Sequence, residues 1–147
     1  MIKLTYPKYD YRIRGEQGKE TIFDPIRKTW IRLTPEEWVR QNIIQYLILI
    51  MHYPSAMIAV EKEIQLGELK KRFDLMVFDP NHQPWMIIEC KSMDVAINQL
   101  VLEQVLRYNI SVPVPFLVVT NGSSMAGFER RDGGMTEIEV LPVFALG

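Results

Sequence analysis

Apolar and polar positions alternate with two different periods along the chain, and the change of period divides it into elements. An amphipathic helix is predicted over residues 35–52, with Thr34 capping its start, Pro35 at the first helical position and Pro54 beyond its end. The apolar stripe of this helix is formed by Val39, Ile43, Leu47 and Ile50.

Three stretches after this helix have the composition of β-strands. They are residues 57–67, 72–79 and 85–91. The second and third are apolar on both faces apart from a few charged positions, as expected for central strands covered on both sides. Helical spacing returns over residues 94–110, with Asp94 as the predicted N-cap, and residues 115–122 form a fourth buried strand.

The order helix, three strands, helix, strand predicts an α/β protein of the α+β type, in which helices pack on a mixed sheet. We expect one domain over the whole chain, with its core in residues 34–125. Residues 1–33 would be an N-terminal extension, in which a turn at 15–20 joins short strands. Residues 126–147 would be a C-terminal tail, with a short strand within residues 134–147.

Composition narrows the classes of function. The 147 residues contain 17 Lys and Arg and 18 Asp and Glu, so the chain lacks an overall basic surface, and nucleic-acid binding would have to use local patches. The single cysteine excludes an internal disulfide and a multi-cysteine zinc site, which fits a reducing cytoplasm. The longest apolar run, residues 43–51, is too short to span a bilayer, and the N-terminus lacks the apolar segment of a secretory signal. We therefore expect a cytoplasmic protein without membrane attachment.

The strand at 85–91 carries two opposite charges at its end. Glu89 and Lys91 are two residues apart and share one face of the strand, whereas Cys90 points to the other face as a small core residue. If the preceding hairpin loop centres on residues 81–82, Asp74 lies directly opposite Glu89, with Cβ atoms about 4.5–5.5 Å apart. Carboxylates this close repel each other unless positive charge lies between them.

Lys91 supplies part of that charge, and a divalent metal would supply more. Mg²⁺ accepts a few carboxylates and retains several waters, so Asp74 and Glu89 converging in a cleft suit it. Lys91 would then orient or deprotonate the attacking water, and the set implies metal-assisted hydrolysis of a phosphodiester. A structural Asp–Lys or Glu–Lys ion pair at a sheet edge is the alternative reading of the same spacing.

Asp74 followed by Glu89-Cys90-Lys91 resembles the core of the PD-(D/E)xK nuclease superfamily, although Phe73 replaces the proline. More widely, residues 30–125 resemble the N-terminal nuclease domain of type I restriction enzyme R proteins. The resemblance implies a restriction-endonuclease-like core that binds Mg²⁺, with Mn²⁺ as a substitute. The predicted metal ligands are the carboxylates of Asp74 and Glu89 and the backbone carbonyl of Cys90.

Related nucleases also carry a glutamate of the first helix near the metal. The candidates here are Glu36 and Glu37. Glu37 occupies the capping-box position, whereas Glu36 lies three and seven residues before Val39 and Ile43 and should point toward the packed side. Glu36 is therefore the predicted additional metal neighbour.

Gln104 and Tyr108 match the Gln-x-x-x-Tyr signature of RecB-like nucleases. Four residues apart, they share one face of the predicted second helix. The resemblance implies that they join Asp74, Glu89 and Lys91 in the catalytic group by positioning the site or the DNA. The alternative is a surface glutamine beside a half-buried tyrosine.

These features predict a Mg²⁺-dependent DNA endonuclease domain whose partners are DNA and restriction-modification subunits. Cutting both strands with one site per chain would require a homodimer or two successive nicks. The 147 residues contain no Gly-rich loop with Lys-Ser/Thr, so neither a helicase motor nor a nucleotide cofactor is expected. The alternative function is a catalytically silent nuclease-fold module that binds DNA or regulates a partner.

Overall fold

The computed structural model describes residues 1–144. Within it, residues 1–33 contain a small antiparallel sheet. Its strands, in spatial order, are β1 (Ile13–Arg14), β2 (Thr21–Asp24) and β3 (Thr29–Arg32). The turn expected at 15–20 is confirmed, since it joins β1 to β2. Ile22 and Asp24 are fully buried against the rest of the protein, so β2 has one inward and one outward face.

Six further strands form the main sheet, in which neighbours in sequence are also neighbours in space. They are β4 (Ile58–Leu66), β5 (Leu69–Phe78), β6 (Pro84–Cys90), β7 (Phe116–Thr120), β8 (Met125–Arg131) and β9 (Gly134–Ile138). Only β6 and β7 run parallel, because a helix connects them. The predicted α+β fold with a mixed sheet and a restriction-endonuclease-like core is therefore confirmed.

The first helix is α1 (Pro35–Gln45), and it continues as a π-helical turn (Tyr46–Ile50). The predicted cap is confirmed, because Thr34 Oγ1 accepts a hydrogen bond from the Glu37 backbone N–H. The prediction that Ile50 belongs to the buried stripe is wrong, since it is 39% exposed. The π turn adds a residue to the helical repeat and rotates the following side chains out of phase.

The second helix, α2 (Gln99–Asn109), starts four residues later than expected. The prediction of Asp94 as N-cap is wrong: Asn98 caps the helix by accepting the Val101 N–H. The intervening chain instead begins with a turn, in which the Val95 N–H donates to the Ser92 carbonyl at 3.0 Å and the Val95 carbonyl accepts a hydrogen bond from the Asn121 side chain.

The main sheet continues beyond the predicted core limit at residue 125, because residues 125–129 of β8 pair with the whole of β7. Gly127 interrupts the strand pattern of β8 in the sequence. A side chain there would clash, since a Cβ at Gly127 would lie 2.7 Å from the Ile2 side chain, which crosses β8. The strand expected in the tail is β9; residues 145–147 of that tail lie outside the described residues.

The main sheet has an apolar core on each face. Residues of α1 pack with Leu75, Val77, Ile88 and Cys90 on one face, while α2 covers a second cluster that includes Phe73, Met76 and Ile87. Alternation along β6 therefore places Glu89 on the α2 side and Cys90 on the α1 side. Within residues 1–144, none of the helices combines the length and apolar character needed to cross a bilayer.

Candidate active site

The site forms where β5 and β6 separate. Leu75 pairs with Ile88, which confirms the register that the hairpin predicted, and Asp74 and Glu89 are the next residues on each strand. Asp74 does not continue the ladder. Its Oδ2 atom instead accepts the Cys90 backbone N–H at 2.7 Å, so the carboxylate occupies the gap between the strands.

Arg40 of α1 holds the other oxygen of Asp74. Its Nη2 donates to Asp74 Oδ1 at 3.1 Å, and its Nη1 donates to Glu37 Oε1 at 2.7 Å. The Arg40 side chain is 6% exposed and that of Asp74 is 20% exposed. Sequence reasoning missed Arg40, although Glu37, Arg40 and Gln41 follow helical spacing and signal a polar helix face.

Glu89 is half-buried and poorly compensated. Burial and, second to it, the neighbouring Asp74 carboxylate raise its pKa to about 8, although Lys91 acts to lower it. The two carboxyl groups are close enough for a protonated Glu89 to share its proton with Asp74. Two acids therefore meet at the end of β5 and β6, as their spacing predicted.

Lys91 follows β6 on the same side as Glu89. Its backbone N–H donates to the Thr120 carbonyl at 2.8 Å, which fixes the chain to the end of β7. The side chains of Lys91 and Glu89 line an open cleft of about 560 Å³, whose wall also includes Gln104 and Tyr108 of α2. The structure thus brings the Glu-x-Lys pair and the Gln-x-x-x-Tyr pair to one cavity.

Two cations that precede Asp74 differ in their exposure. Lys71 is buried, with its Nζ 4.2 Å from the centre of the Tyr108 ring and hydrogen-bonded to the Tyr108 carbonyl. It therefore anchors the end of α2. Arg72 lines the cleft with its side chain 67% exposed and 3.5 Å from the Glu61 carboxylate.

Asn121 is a second positioning residue that sequence reasoning did not identify. It is 6% exposed, and its Nδ2 donates to the Val95 carbonyl at 2.8 Å. The residues joining Lys91 to α2 are held by this bond, so Asn121 sets the distance between the two walls of the cleft. Asn-Gly is a dipeptide typical of turns, and Gly122 adopts a left-handed conformation, with φ +90°.

The expected orientation of the two helix-1 acids is wrong. Glu36 is the exposed one, with its side chain 52% accessible and 3.5 Å from Arg40, whereas Glu37 is 5% exposed. Glu37 turns inward because Arg27, Arg40 and Gln41 all donate hydrogen bonds to its carboxylate. Glu36 still borders the site, because it contacts Arg40, which holds Asp74, and its charge is a minor cause of the raised pKa of Glu89.

Buried acids of the small sheet and α1 form a separate cluster. Asp24, fully buried, accepts hydrogen bonds from the Arg27 backbone and side chain and from Gln41 Nε2. Burial alone would raise the pKa of Asp24, but these donors from Arg27 lower it overall. Arg40 connects this cluster to Asp74 through Glu37.

The donor set fits a hard divalent cation. Asp74 and Glu89 supply carboxylate oxygens side by side, and a cation would remove the repulsion that raises the pKa of Glu89. Among residues 1–144, no three His, Cys, Asp or Glu side chains converge as a metal-binding group. Mg²⁺ fits this arrangement because it usually takes one or two protein carboxylates and completes its shell with water and phosphate oxygens.

Helices on both faces of a mixed sheet, with an acid and a Glu-x-Lys pair at the separating ends of two strands, define a restriction-endonuclease-like core. Membership of the PD-(D/E)xK superfamily is consistent with this arrangement. The family described as type I restriction enzyme R protein N terminus (HSDR_N) matches residues 35–142, and the chain belongs to that family. A search of curated proteins finds no match.

Proposed function

We propose that this domain hydrolyses phosphodiester bonds of DNA with Mg²⁺, as an endonuclease acting with restriction-modification partners. The observation that carries the proposal is the shortage of positive charge at the paired acids. Burial and Asp74 raise the pKa of Glu89 although Lys91 is adjacent, and both Glu89 and Lys91 face an open cleft. Ionisable groups with strongly shifted pKa values in a cleft are typical of functional sites.

Asp74 and Glu89 would hold the metal with the backbone carbonyl of Cys90, and Mn²⁺ would substitute. When bound, the metal would supply charge stabilisation for the phosphate and lower the pKa of a nearby water. Glu36, at the border of the site, would strengthen the negative field that attracts the cation.

Lys91 would hold the attacking water beside the phosphate and accept or relay its proton. It is placed for this task because its backbone is fixed to Thr120 while its side chain reaches the cleft. Gln104 and Tyr108, on the opposite wall, would position the DNA strand. Arg40 would keep Asp74 oriented through its 3.1 Å hydrogen bond.

The test is cleavage of supercoiled plasmid with Mg²⁺ or Mn²⁺ by the wild type, Asp74→Ala and Lys91→Ala. Loss of the general base or of a metal ligand should lower the rate by about 10²–10⁴-fold. Glu129→Ala and Arg131→Ala are matched controls, because this acid and cation pair with each other on β8, away from the cleft. Equal cleavage by the wild type and both site variants would reject the assignment.

A silent nuclease-fold module is the second candidate. It is favoured by the contacts of Asp74, since Arg40 and the Cys90 N–H already occupy both carboxylate oxygens without a metal. Calorimetric titration with Mg²⁺ separates the two functions. The nuclease requires metal uptake that Asp74→Ala abolishes, whereas absence of uptake even with duplex DNA present would establish the silent module.

A further inference from the structure

Positive charge is concentrated in the N-terminal segment. Residues 1–33 carry eight Lys and Arg against four Asp and Glu, whereas the remaining residues carry nine against fourteen. The segment thus has a formal charge of +4 in a chain whose total is −1. It also lies outside the residues that match the restriction family, so its surface is a feature separate from the family core.

The outward face of the small sheet brings three arginines of this segment together. Strand pairing aligns Arg14 with Thr21 and Thr21 with Arg32 in one row. The adjacent row contains Arg12, Phe23 and Trp30. We call these six residues the arginine face; its three arginines are exposed.

The two aromatic rings of this face support the arginines. The Arg14 guanidinium carbon lies 3.9 Å from the centre of the Trp30 ring, and that of Arg12 lies 4.5 Å from the centre of the Phe23 ring. Stacking on a ring covers only the flat side of a guanidinium and leaves its in-plane N–H donors free for phosphate oxygens. Because the ring faces are already covered, they are poorly suited to stacking on unpaired bases.

These arginines differ from those of the buried cluster. Within residues 1–144, Arg12, Arg14 and Arg32 form no ion pair with a carboxylate, whereas Arg27 of the same sheet contacts Asp24, Glu37 and Glu61. On the inward side of the small sheet, the charge of Arg27 is therefore neutralised by carboxylates of the protein. On the outward side, the charge of the arginine face is exposed to solvent.

The small sheet is fixed to the helix that borders the cleft. Gln41 of α1 donates to Asp24 at 3.0 Å, and Tyr11 packs on Trp38 with ring centres 4.8 Å apart. Arg40, one residue before Gln41, holds Asp74. A ligand bound to the arginine face is thus held in a defined position relative to the candidate active site.

We infer that the arginine face binds the phosphate backbone of duplex DNA, independently of base sequence. The inference rests on the proposed function for its choice of DNA among polyanions. Three unpaired arginines on one face of the small sheet suit a regular row of phosphates, and the covered rings favour backbone contact over base stacking.

The test is binding of a labelled 20-base-pair duplex, followed by fluorescence anisotropy over a range of salt concentrations with metal chelated by EDTA. The variant carries Arg12→Gln, Arg14→Gln and Arg32→Gln. We expect Kd to rise about tenfold at moderate salt, and the slope of log K against log salt to fall by about 2–3, which corresponds to three phosphate contacts. Circular dichroism confirms that the variant is folded.

The control variant carries Lys3→Gln and Arg131→Gln, which removes two exposed cations near β8 and should leave Kd and the salt slope unchanged. It is compared with a variant that carries Arg12→Gln and Arg14→Gln and therefore loses the same number of charges. Unchanged duplex binding by the triple variant would overturn the inference, and so would a defect confined to single-stranded DNA. Plasmid cleavage distinguishes the two proposals. If the wild type cuts plasmid and the triple variant binds duplex DNA normally, the nuclease proposal stands and the arginine face is rejected. If the triple variant loses duplex binding and the wild type does not cut, the arginine face stands and the nuclease proposal is rejected.

Discussion

Two pairs of buried acids lie on either side of Arg40, and the protein treats them in opposite ways. Asp24 and Glu37 are surrounded by donors from Arg27, Arg40 and Gln41, and the pKa of Asp24 is lowered despite its burial. Asp74 and Glu89 share fewer donors, and the pKa of Glu89 is raised to about 8.

The first pair is the less exposed one, yet the pKa of Asp24 is lowered, so the difference lies in how fully donors compensate each carboxylate. An acid surrounded by cations stabilises the folded state, whereas an acid left beside another acid stores unfavourable energy that a ligand can release. Arg40 belongs to both groups, because one end of its guanidinium serves Glu37 and the other Asp74. The compensated cluster thereby fixes the geometry of the uncompensated one.

Breaking the compensated cluster should have the largest effect on stability. We expect Asp24→Asn to lower the free energy of unfolding by about 3–5 kcal/mol, because it leaves buried donors of Arg27 without their charge partner. The folded-state pKa of Asp24 is lowered, so its contribution is present above the ordinary value of 3.8 and is lost as pH falls through the folded-state pKa. Urea unfolding at neutral and acidic pH should show the difference between wild type and variant shrinking in acid; a loss below 1 kcal/mol at pH 7 would argue against the contrast.

Removing Arg40, which connects the two pairs of acids, should lower the free energy of unfolding by a smaller amount that depends on metal. We expect Arg40→Gln to cost about 1.5–3 kcal/mol in EDTA, since charged hydrogen bonds to Glu37 and Asp74 are lost. Mg²⁺ should recover part of this loss, because a cation at Asp74 replaces the missing positive charge. Thermal unfolding with and without Mg²⁺ measures this recovery of stability. A metal-induced increase in Tm that is no larger in the variant than in the wild type would contradict the role of Arg40.

Neutralising Glu89 should stabilise the protein, because it removes the repulsion from Asp74, and it should also abolish the candidate active site. The folded-state pKa of Glu89 lies above its ordinary value of 4.5, so the folded state is favoured below that value and loses stability as pH rises toward 8. Glu89→Gln removes this loss. We expect a gain of about 1–2 kcal/mol at pH 8, little change at pH 5, and loss of plasmid cleavage. Chemical unfolding at the two pH values tests the sign, and a variant less stable than wild type at pH 8 would refute it.

The neighbouring glutamates of α1 provide the smallest and most closely matched comparison. Glu36→Gln should change stability by less than about 0.5 kcal/mol, since its ion pair with Arg40 is exposed. Glu37→Gln should cost several times more, because its carboxylate is buried among three donors. Equal losses in parallel urea titrations would mean that exposure does not separate the two acids.

Local patterns in the sequence predicted a large part of this architecture. The continuous apolar runs of β5 and β6, the cap at Thr34 and the hairpin register that brings Asp74 to Glu89 depend on neighbouring residues and the period of a strand. The Glu-x-Lys spacing and the four-residue spacing of Gln104 and Tyr108 are local in the same sense, and all four residues line one cleft. Short-range geometry was sufficient for each.

The sequence by itself determined most of the elements, the register of the β5–β6 hairpin and the residue types of the candidate site. Only the tertiary structure decided which charges are compensated: Glu37 is buried and Glu36 exposed because Arg27, from another element, reaches only one of them. It likewise placed Arg40 on Asp74 and left the arginine face uncovered. Burial and ion pairing depend on residues distant in sequence, and the free energy of a charge is set by those neighbours and not by its own segment.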